Sequence, residues 1–455
     1  MPTSTSRAGL VFILVTVFLD FVGVGLIIPV LPDMVAEVMG VTVDADPEAA
    51  AGASATPLDD AGAASARGDD DLPPEVATTY GYLVGCYALT QFLFAPVIGA
   101  LADRYGRRPV LLVSIAGFAV DFLVCALTQS LWWLFAARTA AGATAASVTA
   151  VNAYVADVSS EETRTRNFGL VGATIGLGFI LGPGIGGLLG EYGTRVPFFA
   201  AAGLATLNFL YGLLVLPESL TVEDRSAVQW GKANPFSSLK GLGVDKVVFG
   251  LAVCTMLAAL ADMSLRSTWV LFTKEKFGWG TRANGLALST VGILMAVVQG
   301  GLAGRITGRI GRRPAIVAGL AFAAASMTGY SLAPEGWMLY PLFAVGAMAG
   351  LAYPAIQATV TSRVDRRQQG TVQGALTSLQ SLAAVVAPPL ATGLFAWSTD
   401  AGRSFAGSPL LAGGGLYLLA AGLAVVVTRG IADAGVGRDG YSQSPSEARH
   451  DRTDA

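Results

Sequence analysis

The chain has 455 residues, 53% of them hydrophobic and 13% charged, with 29 Lys/Arg, 32 Asp/Glu and a formal net charge of −3. A soluble protein carries about a quarter charged residues, so most of this surface must face something other than water; the mean hydropathy is +0.58. The composition argues against a soluble catalytic domain or a nucleic-acid-binding module and for a lipid bilayer as the main partner.

In chain order, twelve runs of roughly 20 apolar residues predict membrane-spanning helices: about 10–31, 79–100, 109–128, 131–155, 167–190, 197–216, 247–272, 284–303, 314–332, 337–360, 370–395 and 409–428. Continuous runs such as LLVSIAGFAV do not fit strands of alternating polarity. The expected fold class is therefore an all-α membrane protein with twelve transmembrane helices. Arg7 precedes the first run, but no small-residue cleavage site follows before LIIPVLP, so it reads as a span and not as a signal peptide.

Residues 41–76 hold nine acids against Arg67 alone, a local charge of −8. This Ala/Gly/Asp-rich, aperiodic segment is expected to be a disordered loop between spans 1 and 2. It serves either as a solvated spacer or to attract cations. Residues 217–246 read as a linker between an N-terminal half (1–216) and a C-terminal half (247–428), and 429–455 as a polar tail. With the N-terminus inside, the cytoplasmic connections carry sixteen Lys/Arg and the outer ones six. That asymmetry predicts a multi-pass protein of the cytoplasmic membrane with both termini cytoplasmic. Cys86, Cys125 and Cys254 all fall inside spans and suggest neither a disulfide framework nor a metal site. No cofactor is expected.

Between spans 2 and 3 stands GALADRYGRRP (99–109), and between spans 8 and 9 GRITGRIGRRP (304–314), at an offset of 205. The match pairs Gly99 with Gly304, Arg104 with Arg309, Gly106 with Gly311, and Arg107-Arg108-Pro109 with Arg312-Arg313-Pro314. A parallel duplication of six-helix units is a transporter pattern. Glycine permits the tight turn and proline starts the next helix. The arginines sit at headgroup level. Asp103 can pair with them or face a helix N-terminus, as part of a plain topological anchor or of a gate.

These residues resemble the loop 2–3 signature of the major facilitator superfamily. LDFVGVGLIIPVLP, YALTQFLFAPVIGALADRYGRRPVLL, GLGFILGPGIGG, WVLFTKEKFGWG and QQGTVQGALTSL resemble its bacterial tetracycline/proton antiporter branch, over residues 10–425 apart from the acidic insert. The resemblance implies two pseudo-symmetric six-helix halves and proton-coupled efflux of an amphipathic drug by alternating access. It also implies a gating role for Gly99, Asp103, Arg104, Gly106, Arg107 and Arg108. In span 5 it marks an antiporter motif of Gly178, Gly182, Pro183, Gly186 and Gly187. The glycines allow close helix contact, and the proline bends the helix, as expected of a hinge-like seam between the halves.

Ionisable groups inside a bilayer are functional candidates by default. The inventory is Asp20, Asp121, Arg138, Asp262 and Arg266, while the one histidine, His450, lies in the tail. Any transmembrane proton must therefore travel on carboxylates. Arg138, Gly142, Ala145, Thr149 and Asn152 recur at helical spacing as a small, polar face. Arg138, in LFAARTAAG, also resembles the family's span 4 motif, whose arginine is implied to sit beside the proton-carrying acid. The expectation is Asp20 as protonation site with Arg138 as its partner, against a static ion pair. Asp121, which resembles the family's span 3 acid, is either a second proton or cation site or a structural hydrogen bond. Asp262 and Arg266, four apart, can pair on one face of span 7, near its outer end, and so neutralise each other close to water.

For the substrate cavity, the uncharged polar and aromatic candidates are Tyr87, Gln91, Asn152, Gln299, Tyr353, Gln357 and Gln380, beside Asp262 and Arg266. A mostly apolar pocket of this kind suits bulky amphipathic molecules. GLAFAAASM in span 9 lacks the aspartate of the tetracycline pumps, and Met295 stands where some carry histidine; these departures speak against tetracycline itself, and the expected cargo is an amphipathic drug or metabolite of tetracycline-like kind. No GxxxxGK[ST] occurs, so the energy must come from an ion gradient. The rivals are a proton symporter importing a small metabolite and a membrane enzyme or receptor. The chain is expected to work as a monomer with protons and a small molecule as its partners.

Overall fold

In the computed structural model, residues 4–41, 73–145, 147–220, 223, 225, 245–364, 366–400, 403 and 405–429 are described. They form helices and connections, with no strand among the described residues. The N-terminal half contains α1 (Ser4–Ile27), α2 (Leu31–Val38), α3 (Pro74–Tyr105), α4 (Arg107–Leu127), α5 (Leu131–Thr144), α6 (Ser147–Val158), α7 (Glu161–Gly190) and α8 (Val196–Val215). The C-terminal half contains α9 (Lys246–Phe277), α10 (Thr281–Val297), a π-helical turn (Val298–Leu302), α11 (Ala303–Ile310), α12 (Arg312–Leu332), α13 (Leu339–Ala347), α14 (Ala352–Ser362), α15 (Arg366–Thr399) and α16 (Ser408–Val427).

Eleven of these helical stretches are long and apolar enough to cross a membrane. The predicted fourth span, 131–155, is present as two pieces, α5 and α6, meeting at Ala145. No glycine or proline marks that break. The Ala145 carbonyl is instead met by the Gln91 side-chain amide, 3.4 Å away on α3. An interrupted helix at membrane depth is tolerated where a neighbour satisfies its backbone.

Local chemistry explains several ends. Pro74 sits at the first turn of α3, so the second span starts at residue 74, earlier than the predicted 79. The acidic segment is correspondingly shorter, and its residues 42–72 lie outside the described ones. So do most of the predicted linker and residues 430–455 of the tail. Asp245 caps α9 by accepting from the Val247 and Val248 amides at 2.6 and 3.0 Å. In both copies of the repeat the turn glycine takes positive φ, +105° at Gly106 and +88° at Gly311. This is the backbone shape that a side chain resists and glycine permits.

The two halves meet along α3 against α15 and α7 against α10. At one end they are tied. Lys274 of α9 donates to Asp33 of α2 at 2.7 Å, in a largely buried bridge. The Ser289 hydroxyl donates to the Ile180 carbonyl at 2.6 Å, and Arg282 faces Glu191 at 3.6 Å. Towards the opposite end, which carries the Gly106 and Gly311 turns, the helices diverge. A Cβ placed on Gly169, Gly172 or Gly176 of α7, or on Gly300, Gly304 or Gly308 of the facing segment, would meet no atom within 4 Å. Among the described residues the halves are tied at one end, while at the other, here the open end, these glycines stand in open space.

Candidate functional site: a buried ion pair beside a lone carboxylate

The charges of the N-terminal half converge between α1, α3, α4, α5 and α8. Arg138 Nε donates to Asp121 Oδ1 at 3.0 Å and Nη2 donates to Oδ2, making a two-pronged pair. The side chains are 8% and 1% exposed. The guanidinium also lies over the rings of Tyr87 and Phe122, 5.7 Å from each centroid. The Cys125 thiol sits 3.6 Å from Asp121 Oδ1. Two opposite charges taken out of water together need this completeness of contact.

Asp20 is therefore not the ion partner of Arg138, contrary to the sequence expectation. Its Oδ1 accepts from the Asn208 side-chain amide at 3.0 Å, and it is half-buried. Tyr87 lies within electrostatic reach of both Asp20 and Arg138 and links the two sites. Asn208 escaped the sequence reading, although a lone amide in the apolar run LATLNFLYGL was a visible signal. Of the polar stripe, Gly142 fits tightly: an added Cβ would collide with Thr90 and the Tyr87 carbonyl of α3. Asn152 is exposed on α6, and the Thr149 side chain lies outside the described residues.

At the open end, Arg107 donates to Asp103 at 2.5 Å and to Asp157 at 3.2 Å, and Ser219 also donates to Asp157 at 3.1 Å. Asp103 thus pairs with an arginine, as one of the sequence alternatives had it. The helix N-terminus is occupied by a residue the sequence reading missed, Glu218. Its carboxylate accepts from the Arg107 amide at 2.8 Å and the Arg108 amide at 3.3 Å. Arg108 donates to the Leu213 carbonyl, and Arg104 lies over Tyr105. Gly99 sits within α3 and is half-buried. Glu218→Gln removes a full charge from the positive end of α4 and should cost about 1 kcal/mol. Thermal unfolding of purified protein reads this as a lower midpoint.

The C-terminal half repeats this geometry without the acids. Arg312 reaches the Ala358 carbonyl at 3.4 Å and the Ser362 hydroxyl at 3.3 Å. Ser362 stands at the same offset from Asp157 as Arg312 from Arg107, and Gly308 stands likewise for Asp103. In one turn the arginine is paired with acids; in its twin Arg312 hydrogen-bonds neutral acceptors.

The glycines of α7 correct a second expectation. Gly178, Gly182 and Gly186 do not form the seam between halves; they seat α1 of the same half. A Cβ on Gly182 would lie 2.7 Å from the Gly25 Cα, one on Gly178 the same distance from Phe21 Cβ, and one on Gly186 would strike the Leu26 carbonyl. The seam belongs to Gly184, Gly187 and Gly190, which face Ser289, Gly285 and Thr281 of α10. Pro183 joins the two faces, its ring against Gly25 and its carbonyl against Gly285.

In the C-terminal half, Gln357 donates to the Tyr353 hydroxyl at 2.9 Å, and Gln373 donates to Gln357 at 2.5 Å. Tyr353 and Gln357 thus point together as predicted, and Gln373 joins them unforeseen. Gln299 falls in the π-helical turn, a distortion frequent at functional positions, and Gln380 is half-buried on α15. Arg266 Nε donates to Asp262 Oδ2 at 2.6 Å. That pair lies midway along α9, not near its outer end. No cluster of three His, Cys, Asp or Glu that could hold a metal occurs among the described residues.

A membrane-spanning bundle of two six-span halves, tied at one end and parted at the other around buried charges, is the architecture of a carrier. The chain belongs to the Major Facilitator Superfamily, whose family model matches residues 13–388. It is 36% identical over 414 residues to the class C tetracycline resistance protein of Escherichia coli, covering 91% of this chain and 96% of that one. It is 32% identical to the class B protein of the same organism, over 83% of this chain and 86% of that one. Among solved structures, a bacterial homologue of the human lysosomal transporter Spinster, inward-facing and unoccupied, superposes with a TM-score of 0.70 at 17% identity, covering 94% and 98%. The human organic anion transporter MFSD10 superposes with a TM-score of 0.64 at 23% identity, covering 93% and 100%.

Proposed function

We propose that this protein exports amphipathic, tetracycline-like drugs in exchange for protons, by alternating access between the halves 1–216 and 247–428. The observation that carries this reading is the likeness to tetracycline resistance proteins over nine-tenths of the chain, together with a half-buried carboxylate, Asp20, that has no cationic partner among the described residues. Asp121 and Arg138 neutralise each other, so Asp20 is the acid left to titrate. Closing the halves over an ionised, unpaired carboxylate is costly. A proton or the cationic amine of a drug removes that cost, and the two compete for the same oxygens. That competition is what couples drug exit to proton entry.

The basic excess at the Gly106/Gly311 end supports both termini being cytoplasmic and the chain lying in the cytoplasmic membrane. The open end then faces the cytoplasm, and the Lys274–Asp33 bridge belongs to an outer gate. In this state Asp20 releases its proton inward and accepts the drug. The Arg107 cluster, whose partners are in the N-terminal half and the first residues of the linker, is free to meet the C-terminal half when the cytoplasmic end closes.

Inverted membrane vesicles test the reading. With an acidic lumen, tetracycline should accumulate against its gradient, and collapsing the pH gradient should release it. Accumulation only when drug and proton move in the same direction would establish the symporter instead.

A further inference from the structure

The Asp262–Arg266 pair is unlike the other charges of the interior. It lies midway along α9, about 24 Å by helical rise from its start, so it sits at the depth of the hydrocarbon core. Tyr417 of α16 lies within electrostatic reach of both charges. Yet the Arg266 and Asp262 side chains are 55% and 35% exposed, whereas Arg138 and Asp121 are sealed. Charges at this depth face the bundle interior or a water-filled cavity, and a pair that is exposed and not sealed takes the second course.

The bond geometry shows what the guanidinium presents. Asp262 takes Nε, at 2.6 Å. A guanidinium offers five N–H donors, and the edge formed by Nη1 and Nη2 matches two oxygens of an acid group. We propose that Arg266 binds an acidic group of the transported molecule, such as a carboxylate, sulfonate or ionised enol, with Asp262 acting as the positioning residue that holds the guanidinium turned into the cavity. This rests on the efflux reading and narrows it: the favoured cargo is an amphiphile bearing an anionic group, which the C-terminal half reads. Asp20 of the N-terminal half takes the proton or a cationic group.

Two fluorescent probes of the same ring system separate the possibilities. 8-Anilinonaphthalene-1-sulfonate carries a permanent anion, and N-phenyl-1-naphthylamine carries none. Each is titrated against the full-length protein in lipid nanodiscs, with empty discs subtracted. Wild type should prefer the sulfonate. Arg266→Gln should weaken sulfonate binding about tenfold or more and leave the neutral probe within about twofold. Asp262→Asn should tighten the sulfonate, because it removes a competing negative charge while an amide oxygen still orients the guanidinium; Arg266→Lys should restore part of the loss. A purely structural pair would predict that Arg266→Gln and Asp262→Asn weaken both probes alike. That result, or equal or absent binding of the two probes by wild type, overturns the proposal. Loss of proton-driven drug uptake with this selectivity intact would instead count against the efflux reading alone.

Discussion

Arg138→Gln should cost the folded protein about 3–5 kcal/mol, because it leaves the Asp121 carboxylate buried, charged and without its two-pronged partner. Membrane-inserted protein should fall, and the thermal midpoint of what remains should drop sharply. Asp121→Asn in the same chain should recover most of that loss, since two amides can hydrogen-bond where a single charge cannot be tolerated. Such non-additivity is the signature of residues in direct contact. Asp20→Asn, by contrast, should leave stability near that of wild type, as Asn208 can pair with the new amide. A single Arg138→Gln variant as stable as wild type would refute the pairing described here.

The second large effect lies in the α1–α7 contact. Gly182→Ala places a methyl 2.7 Å from the Gly25 Cα and 2.9 Å from the Val22 carbonyl oxygen, where backbone and not a movable side chain must yield. Overpacking of this kind costs about 1–3 kcal/mol and should cut drug transport several-fold. Gly169→Ala on the same helix is the control. Its Cβ meets nothing within 4 Å among the described residues, so the substitution should stabilise the helix in this state by up to about 1 kcal/mol, the opposite sign to Gly182→Ala. Thermal unfolding and vesicle uptake of both variants, measured side by side, check the contrast.

Much of this architecture was legible from the chain because bilayers impose strong rules. Long apolar runs gave the spans, and the duplicated GRRP turns gave the two halves. The positive φ of Gly106 and Gly311 explains why glycine stands at both turns. What the sequence could not supply was rotation. Asp20 and Asp121 are both acids inside spans, and nothing in one chain says which of them a neighbouring helix turns toward Arg138. The same limit affected α7: the spacing of Gly178, Gly182 and Gly186 defines one face, but only packing shows that this face meets α1 while Gly187 and Gly190 meet α10. The break at Ala145 carries no proline or glycine, so it was invisible until Gln91 was found at its carbonyl. Asn208 and Glu218 were missed for a different reason. Asn208 is a single polar residue inside an expected span and Glu218 one just beyond its end, and their roles rest on partners 188 and 111 positions away in the chain.

The competition between proton and drug at Asp20 is most directly read as proton release. Purified protein in weakly buffered detergent with a pH-sensitive dye should acidify the medium when tetracycline is added. Asp20→Asn should abolish that release while the protein remains folded, and Asp121→Asn with Arg138→Gln should retain it. Undiminished proton release from Asp20→Asn would contradict the account, because the exchanged proton would then reside elsewhere.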